Sequence, residues 1–450
     1  MPGFTPEVMR AGAGNTRIAI IGAGWAGLAA AVELCDSGFR PVVFEAAKQP
    51  GGRARCVDIH GHPLDNGQHI LIGAYRETLR LMKRVGADPE RLFHRFPLEL
   101  EHALAGFRFA LPKLGKPLNL ALGLFMAKGV PLGEKIAAAR FIQDLKRRRF
   151  QLAEDCAASV LYDRHALRGR MRRYFWNPIC LSALNTPPEN ASARILVNVL
   201  RDSFNGTRSD TDFLLPATDL NTLFPDAAAA FIISKGGALR LAARVESFKQ
   251  ESNGIFIGEE RFDHVIIAAA PQHAHSLLKD HAAAEPAASM LSMYAYEPMG
   301  TVYAAYPPET GLSAFMRGME CDAPEWIGQW AFDRGRLDGR NRGILSFVLS
   351  SSANGWTAYD NDALAARLHL ELESVLGRAL PKPRWTRVIR EHRATLSCRP
   401  DIPRPAAKTA IKGLWLAGDH VYAEYPATIE GAVRSGVIAA SRIIETRRSS

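Results

Sequence analysis

The stretch that decides the fold of this chain runs from residue 17 to residue 45 and reads RIAIIGAGWAGLAAAVELCDSGFRPVVFE. The apolar residues up to Ile21 predict a short strand, and the glycines that follow predict a tight turn. Leu28–Leu34 is rich in helix formers, and Pro41–Phe44 is a second β-rich run that ends on the carboxylate of Glu45. A strand, a turn, a helix and a strand within about thirty residues predict a βαβ unit at the start of a parallel sheet.

The glycine turn has the spacing of a dinucleotide-binding site. The first glycine permits the tight turn, the second lets the backbone approach a pyrophosphate, and the third allows close packing of helix on strand. The helix that follows directs unpaired N–H groups and its positive dipole end at the phosphates. The acid about twenty residues further on accepts hydrogen bonds from both ribose hydroxyls, and it disfavours a 2′-phosphate. The predicted contacts are Gly22, Gly24, Trp25, Ala26, Gly27 and Glu45, and both NAD and FAD fit them.

Composition predicts a globular protein of two or more domains. The chain has 450 residues, of which 47% are hydrophobic and 23% charged, so it has ample material for several cores. Apolar runs such as Leu118–Met126 end well short of the roughly 20 residues that a membrane-crossing helix needs. The first sixteen residues contain no apolar run, so we expect a loose tail there rather than a signal peptide.

Cysteine usage and net charge limit the cellular compartment and the partners that we expect. The six cysteines form no C-x-x-C pair and have no metal-ligand spacing, which predicts reduced thiols in a cytosolic compartment and no metal site. The net charge of +10 favours anionic partners. No nucleic-acid-binding module frames the basic residues, so we expect no nucleic-acid partner. Oligomeric state is left open.

Three further motifs resemble those of the superfamily of FAD-dependent amine oxidases and phytoene desaturases. Gly51–Arg53 begins six residues after Glu45 and is similar to that superfamily's G-G-x-R element, which lies at the flavin diphosphate. Leu416–Asp419 is similar to its second FAD element, and Pro426–Val433 to its flavin-facing helix start. The resemblance implies FAD as cofactor, with further contacts from Gly52, Arg53, Val245, Gly418, Asp419, Thr428 and Ile429. Val245, at the end of a predicted strand Leu239–Val245, would pack near the adenine.

Longer strings narrow the resemblance to bacterial hydroxysqualene dehydroxylases, also called squalene-associated FAD-dependent desaturases. They are Asp65–Tyr75, Phe175–Thr186 and Pro426–Gly436, and the likeness spans residues 17–445. The chain departs from the family pattern at His420–Tyr422, where a tryptophan and small polar residues are more usual. The resemblance implies reductive loss of a hydroxyl from hydroxysqualene, which gives squalene for hopanoid biosynthesis. The alternatives are a carotenoid or phytoene-type desaturase using oxidised FAD, an amine oxidase, and a non-catalytic flavin-binding scaffold.

The predicted fold class is α/β: a Rossmann-like FAD-binding domain of the amine-oxidase type with an inserted α+β substrate domain. We assign residues 1–95, 215–285 and 395–450 to a discontinuous FAD-binding domain. The substrate-binding domain takes residues 96–214, which have mostly helical periodicity, and residues 286–394, which mix β-like and helical runs.

Catalysis by such an enzyme needs a proton for the leaving hydroxyl and hydride from reduced flavin. Motif position makes His69, Glu424 and Tyr425 the candidate acids, each weighed against a structural hydrogen bond or simple exposure. The sequence contains one dinucleotide-binding motif, which is assigned to FAD, and no second one for a nicotinamide. The electrons are therefore expected from an external donor.

A long isoprenoid substrate resides in lipid, which predicts peripheral contact with a membrane. Residues 111–131 combine leucines with flanking lysines, next to the basic run Lys146–Arg149, so we predict a membrane-contact segment within residues 111–150. A buried helix of the substrate domain is the alternative. The predicted location is cytoplasmic, at the inner face of the cytoplasmic membrane.

Overall fold

The computed structural model describes residues 16–448, apart from residues 117, 322, 324 and 353. Residues 1–15, which make up nearly all of the predicted tail, lie outside the described residues. The strands are β1 (Ile18–Ile21), β2 (Val42–Phe44), β3 (Cys56–Ile59), β4 (His62–Asp65), β5 (Leu71–Ile72), β6 (Phe93–Phe96), β7 (Glu99–His102), β8 (Phe107–Ala110), β9 (Phe213–Pro216), β10 (Ala238–Arg240), β11 (Lys249–Glu251), β12 (Gly254–Ile257), β13 (Glu260–Phe262), β14 (His264–Ile267), β15 (Tyr296–Ala305), β16 (Met316–Gly318), β17 (Trp330–Asp333), β18 (Ile344–Ser350), β19 (Trp385–Leu396) and β20 (Leu414–Leu416).

The helices alternate with these strands, and a π-helix (Arg172–Trp176) joins two of them. They are α1 (Trp25–Asp36), α2 (Arg76–Arg84), α3 (Pro89–Leu92), α4 (Leu118–Met126), α5 (Leu132–Arg147), α6 (Ala158–Arg164), α7 (Gly169–Met171), α8 (Asn177–Leu184), α9 (Ala193–Phe204), α10 (Leu220–Leu223), α11 (Pro225–Ser234), α12 (Pro271–Leu278), α13 (Glu285–Ser292), α14 (Arg334–Leu337), α15 (Asn361–Leu376) and α16 (Ile429–Arg448). Among the described helices, none combines the length and the apolarity needed to cross a bilayer.

A five-stranded parallel sheet in the order β10-β2-β1-β14-β20 forms the centre of the nucleotide-binding part. Side chains alternate across it, as strand geometry requires. Ile18 and Ile20 of β1 pack against α1, α11 and α16, whereas Ala19 and Ile21 pack toward the β11-β12-β13 meander and α12. Because both faces are covered, the central strands β1 and β2 are apolar along their whole length.

Helices α1 and α16 lie close together on one face of this sheet. Gly436 of α16 faces the carbonyl of Ala26, and a Cβ at position 436 would come within 2.1 Å of that oxygen. A glycine is therefore needed for this close crossing.

A seven-stranded sheet in the order β19-β15-β18-β17-β16-β7-β8 joins two distant segments of the chain. Strands β7 and β8 come from residues 99–110, and the other five come from residues 296–396. One face packs against helices α4 to α9 through Trp330, Phe332 and Val348. The opposite face packs on α15 through residues such as Phe347.

The predicted strand Leu239–Val245 is wrong beyond its second residue. Strand β10 ends at Arg240, and Ala242 then adopts a left-handed φ of 52°. The Ala242 and Ala243 N–H groups donate to the carbonyls of Ala47 and Glu45 rather than continuing the ladder. Val245 consequently lies in an irregular segment, and it is not at the end of a strand.

Candidate functional site

A cavity of about 730 Å³ opens at the carboxyl ends of β1, β2 and β14, where ligands of open α/β sheets bind. We call it the flavin cavity. Its walls include residues 21–26, 44–47, 51–55, 66–71, 243–246, 268–273, 418–420 and 427–429. The sequence motifs separated by up to about 400 positions therefore meet at one site.

The glycine turn forms one wall of the flavin cavity. Gly22 has a φ of +109°, and a Cβ there would lie 2.6 Å from the carbonyl oxygen of Ala268. A Cβ at Gly27 would come within 1.9 Å of the Gly22 carbonyl oxygen, whereas one at Gly24 would meet only the Gly52 Cα, at 3.9 Å. Gly24 thus borders open space, at the start of a helix that no side chain caps. The first N–H groups of α1 remain available to an anion.

Trp25 and Ala26 begin α1 and line the cavity. The indole Nε1 of Trp25 donates to the Ala54 carbonyl at 2.9 Å, and its ring packs on Phe224. Trp25 therefore also holds the Gly51–Arg55 loop against the glycine turn.

Glu45 accepts two backbone hydrogen bonds, from the N–H of Ala23 at 2.7 Å and from the N–H of Ala47 at 2.8 Å. A carboxylate has about four acceptor sites, so lone pairs remain for hydroxyl donors in the cavity. This geometry is compatible with the predicted contact to a ribose.

Arg53 and Asp419 join the two ends of the chain across the cavity. The Nη2 of Arg53 donates to both Asp419 oxygens, at 2.8 and 2.7 Å, and Nη1 donates to the Ala394 carbonyl at 2.8 Å. Burial alone would raise the pKa of Asp419, but the Arg53 guanidinium and the neighbouring His420 hold it well below its ordinary value. Asp419 is therefore a fixed acceptor, and Arg53 a fixed cation, beside Gly52 and Gly418.

His420, where the chain departs from the family pattern, is 1% exposed and also lines the flavin cavity. Its ring nitrogens are buried, and its Nδ1 lies 3.6 Å from Asp419. Burial lowers the pKa of this imidazole. His420 is therefore an uncharged part of the cavity wall next to Asp419.

His69 lies in the flavin cavity, as predicted from its motif. Its Nδ1 is 2.7 Å from the Gly67 carbonyl oxygen, which can only accept, so Nδ1 carries the proton and Nε2 is left as an acceptor. Burial lowers the pKa of His69, so the ring is neutral at pH 7. A neutral imidazole in this tautomer suits accepting a hydrogen bond better than delivering a proton.

Glu424 and Tyr425, the other two predicted acids, point differently from what their motif position suggests. Glu424 is exposed, and its carbonyl is held by Asn198 at 2.9 Å, so the structure does not bring its carboxylate to the flavin cavity. Tyr425 turns inward and is 1% exposed, but its hydroxyl is buried and makes no hydrogen bond within the described chain. The adjacent residues Thr428 and Ile429 do line the flavin cavity, as does Val245.

Asp65 and Glu430 also lie within the motifs, and both make structural contacts inside the protein. Glu430 accepts the N–H of Thr78 at 2.9 Å and its hydroxyl at 2.6 Å. Asp65 accepts the Leu220 N–H at 2.8 Å and lies 3.5 Å from Arg334, with both side chains fully buried. Burial raises the pKa of Asp65 to about 7, against the opposing charge of Arg334.

A second cavity, of about 120 Å³, adjoins the flavin cavity and is lined mainly by apolar side chains. We call it the apolar cavity. Its lining is Ile70, Ile72, Tyr75, Leu98, Leu100, Pro178, Ile179, Ser182, Ala183, Val199, Leu200, Ser203, Phe204, Thr211, Phe213, Met316, Trp330, Tyr425 and Pro426. It is smaller than the roughly 300–1,000 Å³ of a drug-sized ligand site, so by itself it holds only part of a long chain.

Five residues line both cavities and define the junction between them: Ile70, Tyr75, Ser182, Ala183 and Trp330. Sequence reasoning missed Tyr75, Ser182 and Trp330 as site residues. Their positions follow from the packing of α2, α8 and β17, which no local pattern encodes.

The residues present fit an extended flavin dinucleotide. The uncapped helix and the open space at Gly24 suit a diphosphate, Glu45 suits a ribose, and the Arg53–Asp419 pair lies where the resemblance places the rest of the cofactor. The fold and this site define an FAD-dependent oxidoreductase.

Comparison with known proteins identifies the family. Residues 25–444 match the model of the flavin containing amine oxidoreductase family, so the chain belongs to that family. It is 28% identical to a hydroxysqualene dehydroxylase of Rhodopseudomonas palustris over 96% of this chain and 99% of that protein. A hydroxysqualene dehydroxylase of Zymomonas mobilis is 27% identical over 94% and 97% of the two chains. A probable zeta-carotene desaturase of Synechococcus elongatus is 27% identical, but over only 53% of this chain and 52% of that protein.

Solved structures give the same fold. A putative protoporphyrinogen oxidase from Exiguobacterium sp. 255-15 superposes with a TM-score of 0.67 at 16% identity, covering 97% of this chain and all of the other. This superposition confirms the predicted fold class, and the match to the flavin containing amine oxidoreductase family confirms the predicted FAD cofactor.

Proposed function

We propose that this enzyme reductively removes the hydroxyl of hydroxysqualene to give squalene for hopanoid biosynthesis. The observation that carries the proposal is the apolar cavity that adjoins the flavin cavity and shares five lining residues with it at the junction. Such a space suits a long hydrocarbon with one reacting polar group. The full-length similarity to the two hydroxysqualene dehydroxylases supports the same substrate.

When bound and reduced, FAD supplies the hydride that replaces the hydroxyl. The carbon–oxygen bond breaks, the hydroxyl leaves as water with one proton taken up from the medium, and hydride takes its place on the carbon. The two electrons come from an external donor such as a reduced nicotinamide, a flavin, a quinol or a protein. The chain supplies orientation: the apolar cavity holds the part of the hydrocarbon next to the reacting carbon and excludes water from it, and the junction holds the polar group. Nε2 of His69 accepts a hydrogen bond from the departing group or from a water beside it.

The test is a single-turnover experiment without oxygen. FAD-loaded protein is reduced chemically, freed of reductant and mixed with hydroxysqualene. We expect one squalene per flavin oxidised, and no squalene from protein kept oxidised. Absence of squalene from the reduced protein would contradict the proposal.

A desaturase of the carotenoid type is the second candidate, and the partial similarity to the zeta-carotene desaturase supports it. It would need the opposite redox state, because desaturation takes hydride from the substrate. Oxidised protein mixed with phytoene or zeta-carotene would then bleach its own flavin. We expect no bleaching with either hydrocarbon.

The same proposal includes contact with the inner face of the cytoplasmic membrane. A set of apolar side chains around α4 and the start of α5 is exposed, and we call it the α4 patch: Leu114, Leu118, Phe125, Met126, Leu132 and Ile136. Phe125 is 72% exposed and Leu118 is 65% exposed, whereas Leu120 and Leu124 on the other side of α4 are buried. Lys113 and Lys128 are exposed nearby. An apolar patch with lysines at its edge suits shallow insertion into an anionic bilayer.

Vesicle flotation tests the membrane contact. Phe125→Glu places a charge in the α4 patch, and Leu370→Glu is its matched control, because Leu370 is 58% exposed on α15, away from the patch. We expect the wild type and Leu370→Glu to float with vesicles containing anionic lipid, and Phe125→Glu to stay in solution. Equal flotation of both variants would contradict the assignment.

A further inference from the structure

The junction between the two cavities has to receive the one polar group of an otherwise apolar substrate. An unpaired hydroxyl buried there costs about 1–3 kcal/mol, so a partner for it is expected in the wall. Of the five side chains shared by the two cavities, those with a hydrogen-bonding group are Tyr75, Ser182 and Trp330.

Tyr75 is the one of these three that is tied to the flavin-facing end of α16. It is the residue immediately before α2, where the chain leaves β5. Its ring packs edge-on against Tyr425, four residues before α16, with centroids 6.4 Å apart, and burial and the Glu430 charge raise the pKa of its phenol. Thr428 lines the flavin cavity at the start of α16 and accepts the Gly431 N–H at 3.1 Å. Tyr75 is thus a protonated phenol in the wall that both cavities share, and its ring lies near the start of α16.

Trp330 and Ser182 belong to other elements, the seven-stranded sheet and α8. The Trp330 ring packs against His102 with centroids 5.3 Å apart, as part of the sheet face. Ser182 lies on α8, an element of the substrate side. Tyr425 packs edge-on against Tyr75, with centroids 6.4 Å apart, yet its own hydroxyl is sealed from the cavity.

We infer that Tyr75 binds the substrate hydroxyl at the junction and thereby makes the site selective for a hydroxylated isoprenoid over the corresponding hydrocarbon. The inference rests on the proposed function. It also gives a reason why a hydrocarbon would bind less well in the same cavities, because it would leave the phenol unpaired.

Binding to the oxidised, FAD-loaded protein tests this without turnover, since the reaction consumes two electrons that are absent. Hydroxysqualene and squalene are titrated separately, and the perturbation of the flavin absorbance gives each Kd. We expect the wild type to bind the alcohol about tenfold more tightly than the hydrocarbon, and Tyr75→Phe to lose that preference while its Kd for squalene and for FAD is unchanged. Tyr306→Phe is the matched control and should keep the preference, because Tyr306 lines neither cavity and its hydroxyl is paired with His369.

Other outcomes would overturn the inference. Preserved preference in Tyr75→Phe, or its loss in Ser182→Ala instead, would assign the hydroxyl to another group. Equal weakening of both ligands by Tyr75→Phe would show a packing role only. If the wild type reduces hydroxysqualene but Tyr75→Phe still discriminates, this inference alone fails. If the wild type neither discriminates nor reduces hydroxysqualene, the proposed function fails with it.

Discussion

Substituting Gly24 separates cofactor binding from folding, because its position is structurally permissive. Its backbone is extended, with a φ of −72° and a ψ of 177°, which alanine adopts without strain. The nearest atom to an added Cβ is the Gly52 Cα at 3.9 Å, an ordinary van der Waals contact. Gly24→Ala should therefore change the free energy of unfolding by no more than about 1 kcal/mol.

The same methyl group would occupy the space through which a diphosphate reaches the N–H groups of α1. Loss of one hydrogen bond to a charged group costs about 1.5–3 kcal/mol, which corresponds to a roughly ten- to hundredfold weaker Kd for FAD. The assay is titration of apo-protein with FAD, followed by quenching of flavin fluorescence, together with thermal unfolding of the apo-protein.

Gly27→Ala is the contrasting variant. Its Cβ would lie 1.9 Å from the Gly22 carbonyl oxygen, so it should destabilise the apo-protein itself. If Gly24→Ala binds FAD with wild-type affinity, the diphosphate does not lie on this helix end, and the reasoning about the site is refuted.

Two further predictions concern buried polar groups, and one concerns helix packing. His102 is fully buried among the rings of Phe107, Tyr174 and Trp330, and burial lowers its pKa to about 4 from 6.5, so the unfolded chain takes up its proton first. The contribution of neutral His102 to the free energy of unfolding should be complete above pH 6.5 and fall by about 3 kcal/mol down to pH 4. In urea unfolding, His102→Phe should lack this part of the pH dependence. Identical pH profiles of the wild type and His102→Phe would contradict the prediction. Arg334→Met should lower the free energy of unfolding by about 3–5 kcal/mol in the same assay, because it leaves the buried Asp65 carboxylate without its cation. Adding Asp65→Asn should restore part of that free energy. No recovery would argue against a direct interaction between Arg334 and Asp65. Gly436→Val should lower the melting temperature, because its side chain would enter the α1 backbone. An unchanged melting temperature would show that the helices can separate.

The local pattern around residues 17–45 was sufficient to predict the nucleotide-binding unit. Strands β1 and β2 and helix α1 occur where the apolar runs and glycines indicate, because all three depend on neighbours in sequence. The same reasoning failed at Val245, since the turn at Ala242 is fixed by hydrogen bonds to Glu45 and Ala47, about 200 residues away.

Side-chain direction within the site was less predictable than position. Glu424 and Tyr425 are adjacent, yet one is exposed and the other buried, in a loop whose carbonyls accept hydrogen bonds from Asn198 and Arg404. The junction residue Tyr75 was inside a quoted motif, but its role depends on the meeting of α2, α8 and α16. Sequence alone shows none of these tertiary contacts.

The order of the parallel sheet has a consequence for how the protein is made. Strand β14 is flanked by β1 from the start of the chain and by β20, which begins at residue 414. During synthesis on the ribosome, the β14 edge of the half-built sheet therefore stays open until the chain has emerged past residue 416. Helix α16, which covers α1, arrives later still. Nascent chains should accordingly depend on chaperones until release, and shortening the carboxyl terminus should leave material that aggregates rather than a smaller stable nucleotide-binding fragment.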